Sequence, residues 1–313
     1  MKDLISEALF DWGLAGATAR LLARRENVIY RVDPPGGPPR VLRIHRPGYR
    51  SADEIRSELR LMACLAESGL CVATPCETPE CEVVRDIGGH LVDVLGWVPG
   101  DPIASLEGRD RLDAFETLGA LAARTHQVLD AWSPPGAFRR PSWDADGLLG
   151  ETPLWGRFWE NPALDAAGRD LIGAARREAR ARLEAAVGQA SDIGLIHADM
   201  VGENVLVAED SVALIDFDDA GTGFRLFEIA TILQHQLEAP DYAELRAAVI
   251  DGYRRHRAID LSELDLMLLL RSWTYLGWIM PRMDEPGGAA RCEKFARRAV
   301  RRAEQWMAGQ SLS

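Results

Sequence analysis

Apolar and polar positions alternate through much of the first ninety residues and then settle into a helical period. Residues 19–23 and 28–32 read as strands separated by Arg25, Glu26 and Asn27, and the reversal DPPGGPP leads into a third strand over 41–44. From Ser51 the run SADEIRSELRLMACLAESG has an N-cap serine, acids in its first turn and Gly69 as a stop. Its apolar Ile55, Leu59, Met62 and Leu65 fall at helical spacing, so it predicts a helix. Strands over 82–84 and 90–95 follow, ending in GWVPGDP, whose prolines and glycines mark a boundary. Beyond it the period predicts helices over 112–129, 161–187, 240–256, 261–279 and 289–307. They enclose one short β patch, 205–207 and 212–217, joined by AEDS. The pattern is that of an α+β protein: a small β-rich lobe over 1–95, a hinge over 96–100 and a larger α-rich lobe over 101–313.

A chain of 313 residues exceeds the usual single core, and 47% hydrophobic with 27% charged residues is the composition of a folded globular protein. A net charge of −12 argues against general nucleic-acid binding, because phosphate backbones are held by Lys and Arg, and favours cations and amine-bearing substrates. The basic run Arg291, Lys294, Arg297, Arg298, Arg301 and Arg302 is interleaved with Phe295, Ala299, Ala303 and Trp306, and reads as a closing helix with a solvated basic face. Five cysteines without a CxxC pair fit no zinc site and imply reduced thiols. MKDLISEALFDW has acids where a leader would be apolar, and the longest apolar run is too short for a bilayer, so the expectation is a cytoplasmic protein with no membrane partner.

The polar stretch LIHADMVGEN interrupts this organisation. His197, Asp199 and Asn204 precede the first strand of the β patch, and Asp216, Asp218 and Asp219 end its second, so antiparallel pairing carries both clusters to one edge. Asp199, Asn204 and Asp216 are hard oxygen donors of the kind Mg²⁺ accepts when substrate phosphates complete its shell. The order HxDxxxxN, with a further Asp seventeen residues after the first, is the phosphoryl-transfer pattern of kinases: one Asp orients the attacking hydroxyl, while Asn and the second Asp hold metal.

The segments LIHADMVGENVLV and VALIDFDDAGTGFRLFEIATIL resemble the aminoglycoside phosphotransferase and choline kinase superfamily, whose common form is HGD where this chain has HAD. RENVIYRV, VLRIHRPGYRSADEIRSELRLM and YLGWIMPRMDEP look most like the bacterial stress response kinase and its kinase-like homoserine kinase relatives. The resemblance runs nearly end to end and implies a bilobal protein-kinase-like fold binding ATP and Mg²⁺. Carried onto matching positions, it makes Asp199 the catalytic base, Asn204 and Asp216 the metal ligands, His197 a packing residue and Asp218 a supporting carboxylate. It calls for a lysine on the third strand paired with a helix glutamate; this chain has Arg43 there, with Glu58 as the best partner and Glu54 as a competitor. Arginine keeps the charge but not the shape.

The turn between the first strands lacks the glycines that protein kinases place there. Asn27 and the Val28 amide are the expected phosphate contacts, with an ordinary turn role open for Asn27. Gly96, Trp97 and Val98 are expected to offer backbone groups to adenine, although Trp97 reads equally as a core aromatic. His45 and His126 read as packed residues, Arg225 and Glu228 as braces of the catalytic segment, with Glu228 where Asp is more usual. Trp273, Tyr275, Trp278 and Arg282 fall where the superfamily builds its acceptor pocket, although helical packing explains them as well. The expected activity is transfer of the γ-phosphoryl group of ATP to the hydroxyl of a small molecule, aminoglycoside-like, an amino alcohol or homoserine-like. Two rivals stand beside it: a serine/threonine protein kinase of the stress response type, and a nucleotide-binding regulator without catalysis, for which Arg43 is the only support.

Overall fold

A computed structural model of the chain describes residues 2–24, 27–187, 192–208 and 211–312. Arg25 and Glu26 of the expected turn, and Glu209 and Asp210 of the expected hairpin loop, lie outside the described residues. The chain opens with α1 (Lys2–Asp11), β1 (Thr18–Arg24), β2 (Asn27–Asp33), β3 (Arg40–His45), α2 (Ala52–Glu67), β4 (Pro75–Cys76), β5 (Arg85–Ile87), β6 (His90–Gly96) and β7 (Asp101–Pro102). It continues through α3 (Gly108–Ala131), β8 (Ser142–Trp143), α4 (Ala145–Leu149), α5 (Ala166–Val187), β9 (Ile193–Ile196), β10 (Val205–Ala208) and β11 (Ser211–Leu214). It closes with β12 (Gly221–Phe224), α6 (Arg225–Leu233), α7 (Tyr242–Arg254), α8 (Leu264–Trp278) and α9 (Gly288–Met307).

These elements form two compact units, one of Met1–Ser105, Val128–Arg140 and Glu203–Asp218, the other of Leu106–Gln127, Pro141–Gly202 and Asp219–Ser313. The first is built on a sheet in the order β1-β2-β3-β6-β4, with β5 beside β6. Every pairing in it is antiparallel. Because side chains alternate between faces, the register sorts its residues in two. Tyr30, Val32, Leu42, Ile44, Val92 and Val94 pack with Ala8, Leu9 and Trp12 of α1 and the loop after it. Ile29, Arg43 and Asp93 are aligned across three strands on the opposite face. The β10–β11 hairpin belongs to this unit as well, β10 pairing with β7 and residue Leu214 bridging to Val72.

The second unit is mainly helical, with a small sheet in which β12 runs between β8 and β9. Two glycines set the crossing of α3 with α7: a Cβ on Gly252 would lie 1.9 Å from the Glu116 carbonyl oxygen, and one on Gly119 2.1 Å from that of Val249. α6 and α8 are buried almost all round.

Several boundaries differ from the periodicity. The strand expected over 82–84 lies at Arg85–Ile87, after a turn in which Thr78 N donates to Glu82 O. The second hairpin strand, expected over 212–217, ends at Leu214, because Asp216 takes a left-handed backbone (φ 64°) that no ladder continues. α1 was not anticipated; its ten residues are too short to stand alone, and it persists on the burial of Ala8 and Leu9 against the sheet. α6 also went unread, since an apolar run buried all round has no period to show. In α9, Arg298 and Arg301 share Glu238 while Arg302 is buried, so the basic face is neither wholly solvated nor unpaired. Among the described residues no helix is long and apolar enough to cross a membrane, and all five cysteines are free thiols.

Candidate active site

In the first unit the polar face of the sheet carries a buried charge cluster. Arg43 Nη1 donates to Glu58 Oε1 at 2.7 Å, and Nε donates to both oxygens of Asp93 at 2.9 and 3.2 Å. Asp93 Oδ2 also meets His45 Nε2 at 2.5 Å. Burial by itself would disfavour charge on Arg43, but Asp93 and then Glu58 more than offset it and hold the guanidinium well above its ordinary value. Burial likewise opposes ionisation of Asp93 and Glu58; Arg43 outweighs it for both, aided by His45 at Asp93 and by Arg140 at Glu58, so both carboxyls sit below their usual range. Glu54, the competing partner, is spent elsewhere: its carboxylate accepts from Ser51 N and Oγ, and Ser51 Oγ accepts from Glu54 N, closing a capping box on α2.

The hairpin brings Asn204 and Asp216 to one end. With Val205 opposite Leu214, the next pair outward has Ile215 N donating to Asn204 O at 3.0 Å, and Asp216 follows directly. The segment after it is clamped from two sides. Arg140 Nη2 donates to the carbonyls of Phe217, at 2.9 Å, and Asp218, while its Nη1 donates to Glu54 O at 3.1 Å; Arg50 Nη2 donates to Asp218 O at 2.9 Å. Burial and the nearby Glu58 charge push the Asp218 carboxyl up, against the pull of Arg50 and Arg140. The segment therefore rests on fixed backbone contacts.

The second unit holds the other half of the motif. Ala198 takes a left-handed backbone (φ 66°) and is wholly buried, which explains why glycine is the common residue between the His and Asp of this motif. Glu228 Oε2 accepts from His197 N at 2.6 Å and from Ala198 N at 3.3 Å, pinning that strained turn from α6. Burial raises the Glu228 carboxyl despite His197 and these two donors. His197 Nδ1 accepts from Asp199 N at 3.2 Å, so the imidazole shapes the loop. Asp199 receives Arg271 Nη2 at 2.5 Å on its Oδ1. Arg225 Nη1 donates to Leu195 O at 3.0 Å, and Gly194 admits this side chain: a Cβ there would lie 1.9 Å from the guanidinium.

Other expected positions vary. Asn27 is buried at the start of β2, and Val28 lies in the ladder between β1 and β3. The N–H groups of Gly96 and Trp97 are committed to Thr74 O, at 2.8 Å, and Pro39 O, at 3.3 Å, and the Trp97 ring lies under Arg31. These two donors are thus used inside the sheet region, leaving Val98 as the stretch's remaining expected position. Trp273 is core, stacked on Phe158, whereas Arg282 lies over the Trp278 ring. His126 is packed, its Nδ1 2.8 Å from Tyr253 Oη.

Asp93, Arg140 and Arg271 escaped the sequence reading. Asp93 had a signal, a single acid inside the apolar strand HLVDVLG opposite Arg43; Arg271 had one too, the only charge in the run LMLLLRSWTYLGW. Arg140, in an irregular segment, had none.

The residues fit a nucleotide and a hard cation. Arg43 Nη2 and Asn27 Oδ1 are buried without a hydrogen-bond partner among the described residues, and a spare guanidinium N–H group is what a phosphate oxygen requires. Among the described residues no three His, Cys, Asp or Glu side chains are grouped to hold a metal unaided. One carboxylate and one amide oxygen at a hairpin end match the partial protein shell that Mg²⁺ completes with phosphate and water.

Comparison with known proteins adds several kinases as relatives. A microcompartment-associated aminopropanol kinase of known structure superposes with a TM-score of 0.87 at 27% identity, covering all of both chains. Stress response kinase A of Salmonella choleraesuis is 26% identical over 297 residues, 91% of this chain and 84% of that one. Amicoumacin kinase of Bacillus subtilis is 26% identical over 247 residues, 76% of this chain and 69% of that one. With a buried arginine–glutamate pair, an Asn–Asp hairpin end and a pinned HAD turn, and with the family model matching residues 18–266, the chain belongs to the phosphotransferase enzyme family.

Proposed function

We propose that this phosphotransferase moves the γ-phosphoryl group of ATP to a hydroxyl of a small molecule, with Asp199 as base and Asn204 and Asp216 as Mg²⁺ ligands. The observation that carries it is the Arg43–Glu58 ion pair at 2.7 Å, because it supplies the cation and helix carboxylate of a kinase small lobe and keeps Arg43 Nη2 for a phosphate. Bound ATP and Mg²⁺ supply the phosphoryl group and neutralise the charge that develops on it. Asp199 takes the proton from the acceptor O–H as the acceptor oxygen forms its bond to phosphorus and the bond to the β–γ bridging oxygen breaks, leaving ADP. Arg43 holds phosphate, and Asn204 and Asp216 hold the cation; His197, Glu228 and Asp218 keep the loops in place. A small-molecule acceptor is favoured by the aminopropanol kinase and amicoumacin kinase among the relatives.

A protein serine or threonine is the second reading, carried by the likeness to a serine/threonine protein kinase of Salmonella typhimurium, 26% identical over 297 residues. Incubating the protein with labelled ATP, hydroxylated amines, amino acids and aminoglycosides, and then separating protein from small molecules, distinguishes the two. Label on a small molecule supports the first reading; label on protein alone supports the second; ATP-dependent stabilisation with no transfer anywhere favours a regulator. Asp199→Asn should fold and bind ATP yet lose at least roughly a hundredfold in turnover, the scale of a general base.

A further inference from the structure

α8 is a buried helix with one charge in its apolar run. Arg271 has a 3% exposed side chain, and its partner is the Asp199 carboxylate, which is 27% exposed. An arginine serving only the core would be expected to end on a buried group; this one ends on a carboxylate that is partly open to solvent. Its guanidinium is held in several directions. Nη2 bonds Tyr275 Oη at 3.0 Å as well as Asp199 Oδ1 at 2.5 Å, and Nη1 bonds Thr274 Oγ1 at 3.4 Å. The guanidinium carbon lies 4.6 Å from the centre of the Tyr275 ring and 5.9 Å from that of Phe227. The acidic and titratable groups facing it include Tyr275, Asp199, Asp219 and Glu228. Nε, meanwhile, is buried without a hydrogen-bond partner among the described residues, a cost that the fold bears in keeping the head group where it is.

We propose that Arg271 is a positioning residue for Asp199: a cation fixed by α8 and two aromatic faces holds the carboxylate by one oxygen, so that its orientation toward the acceptor hydroxyl is set before the acceptor arrives. The proposal rests on Asp199 being the base of the proposed function. A rigid, desolvated guanidinium suits this task, since its planar fork loses little freedom on binding, whereas a carboxylate on a loop turns freely about its last torsion. The Asp199 backbone is held through His197; the side chain is held through Arg271. Misplacing a reacting group by about 1 Å can cost on the order of a hundredfold in rate without touching substrate affinity.

The test uses the whole protein with an acceptor identified by ADP release. Arg271→Gln should lower kcat by at least roughly tenfold while KM for ATP changes little, because orientation and binding are separable in this way. Arg271→Lys should recover part of the loss, and guanidinium ion added to Arg271→Ala should restore turnover in a saturable manner. ATP-dependent thermal stabilisation of each variant shows that it is folded. A second readout needs no turnover: in a cycle with Asp199→Asn, the melting temperature lost by the double variant should be smaller than the summed losses of the singles. A kcat for Arg271→Gln within about threefold of the parent, or a fall fully explained by KM, overturns the proposal. So does additive behaviour in the cycle. Were the parent itself to transfer phosphate to no acceptor, the proposed function would fail first and this inference with it; a working parent with an indifferent Arg271 removes the inference alone.

Discussion

Replacing Arg43 by lysine restores the residue that kinase small lobes ordinarily carry, and the structure predicts that it should nevertheless be damaging. Arg43 serves two carboxylates at once, Glu58 through Nη1 and Asp93 through Nε, and the side chains of all three are at most 5% exposed. A lysine ammonium is a single point that can serve one of them well. The other is left in a dry site, Asp93 with only His45 or Glu58 with only the more distant Arg140 at 3.8 Å. A hydrogen bond to a charged group contributes about 1.5–3 kcal/mol, and removing one partner from a buried pair costs about 3–5 kcal/mol. Since lysine keeps the charge, the lower end applies, and Arg43→Lys should lose about 2–3 kcal/mol. Urea unfolding measures it, and a cycle with Asp93→Asn locates it: with the second carboxylate neutral, the lysine should cost at least about 1 kcal/mol less. A loss for Arg43→Lys below about 0.5 kcal/mol, or strict additivity with Asp93→Asn, would refute the shared-fork reasoning.

Four further outcomes follow. Glu58 and Asp93 have folded pKa values below their unfolded ones, about 4.3 and 3.9, so the stability they contribute is complete above that range and is lost as pH falls through it toward the folded values; in acid unfolding, Glu58→Gln and Asp93→Asn should flatten the loss. Ala198→Gly should be nearly neutral in thermal unfolding, within about 0.5 kcal/mol, because relief of about 1–2 kcal/mol of left-handed strain offsets one lost buried methyl and the freedom of glycine; a loss above about 1.5 kcal/mol would show that the turn is unstrained. Gly252→Ala should destabilise by more than about 2 kcal/mol, since its Cβ would fall 1.9 Å from a backbone oxygen of α3 and only separation of the helices relieves it; unchanged melting would refute that crossing. Arg140→Ala, which removes one of the two arginine clamps on the segment after Asp216, should raise the Mg²⁺ needed for half-maximal turnover about tenfold or more, in a titration at saturating ATP; an unchanged Mg²⁺ requirement would remove the Arg140 clamp from the mechanism.

By itself the sequence determined what is local or periodic. Strand alternation located β2, β3 and β6, helical spacing located α2, α7, α8 and α9, and the order His197, Asp199, Asn204, Asp216 pointed to phosphoryl transfer, because the spacing of a loop and a short hairpin is written along the chain. It also named Arg43 and Glu58, which lie fifteen residues apart on adjoining elements. What it left undecided depends on residues distant in sequence meeting in one dry place. Whether Glu54 or Glu58 meets Arg43 was settled by the capping box that occupies Glu54. That Asp93 shares the fork follows from strand register, fifty residues away, and that Arg271 grips Asp199 follows from where α8 passes, seventy-two residues on. A buried charge is stable only beside its partner, so such residues are chosen by packing, and packing is a property of the fold.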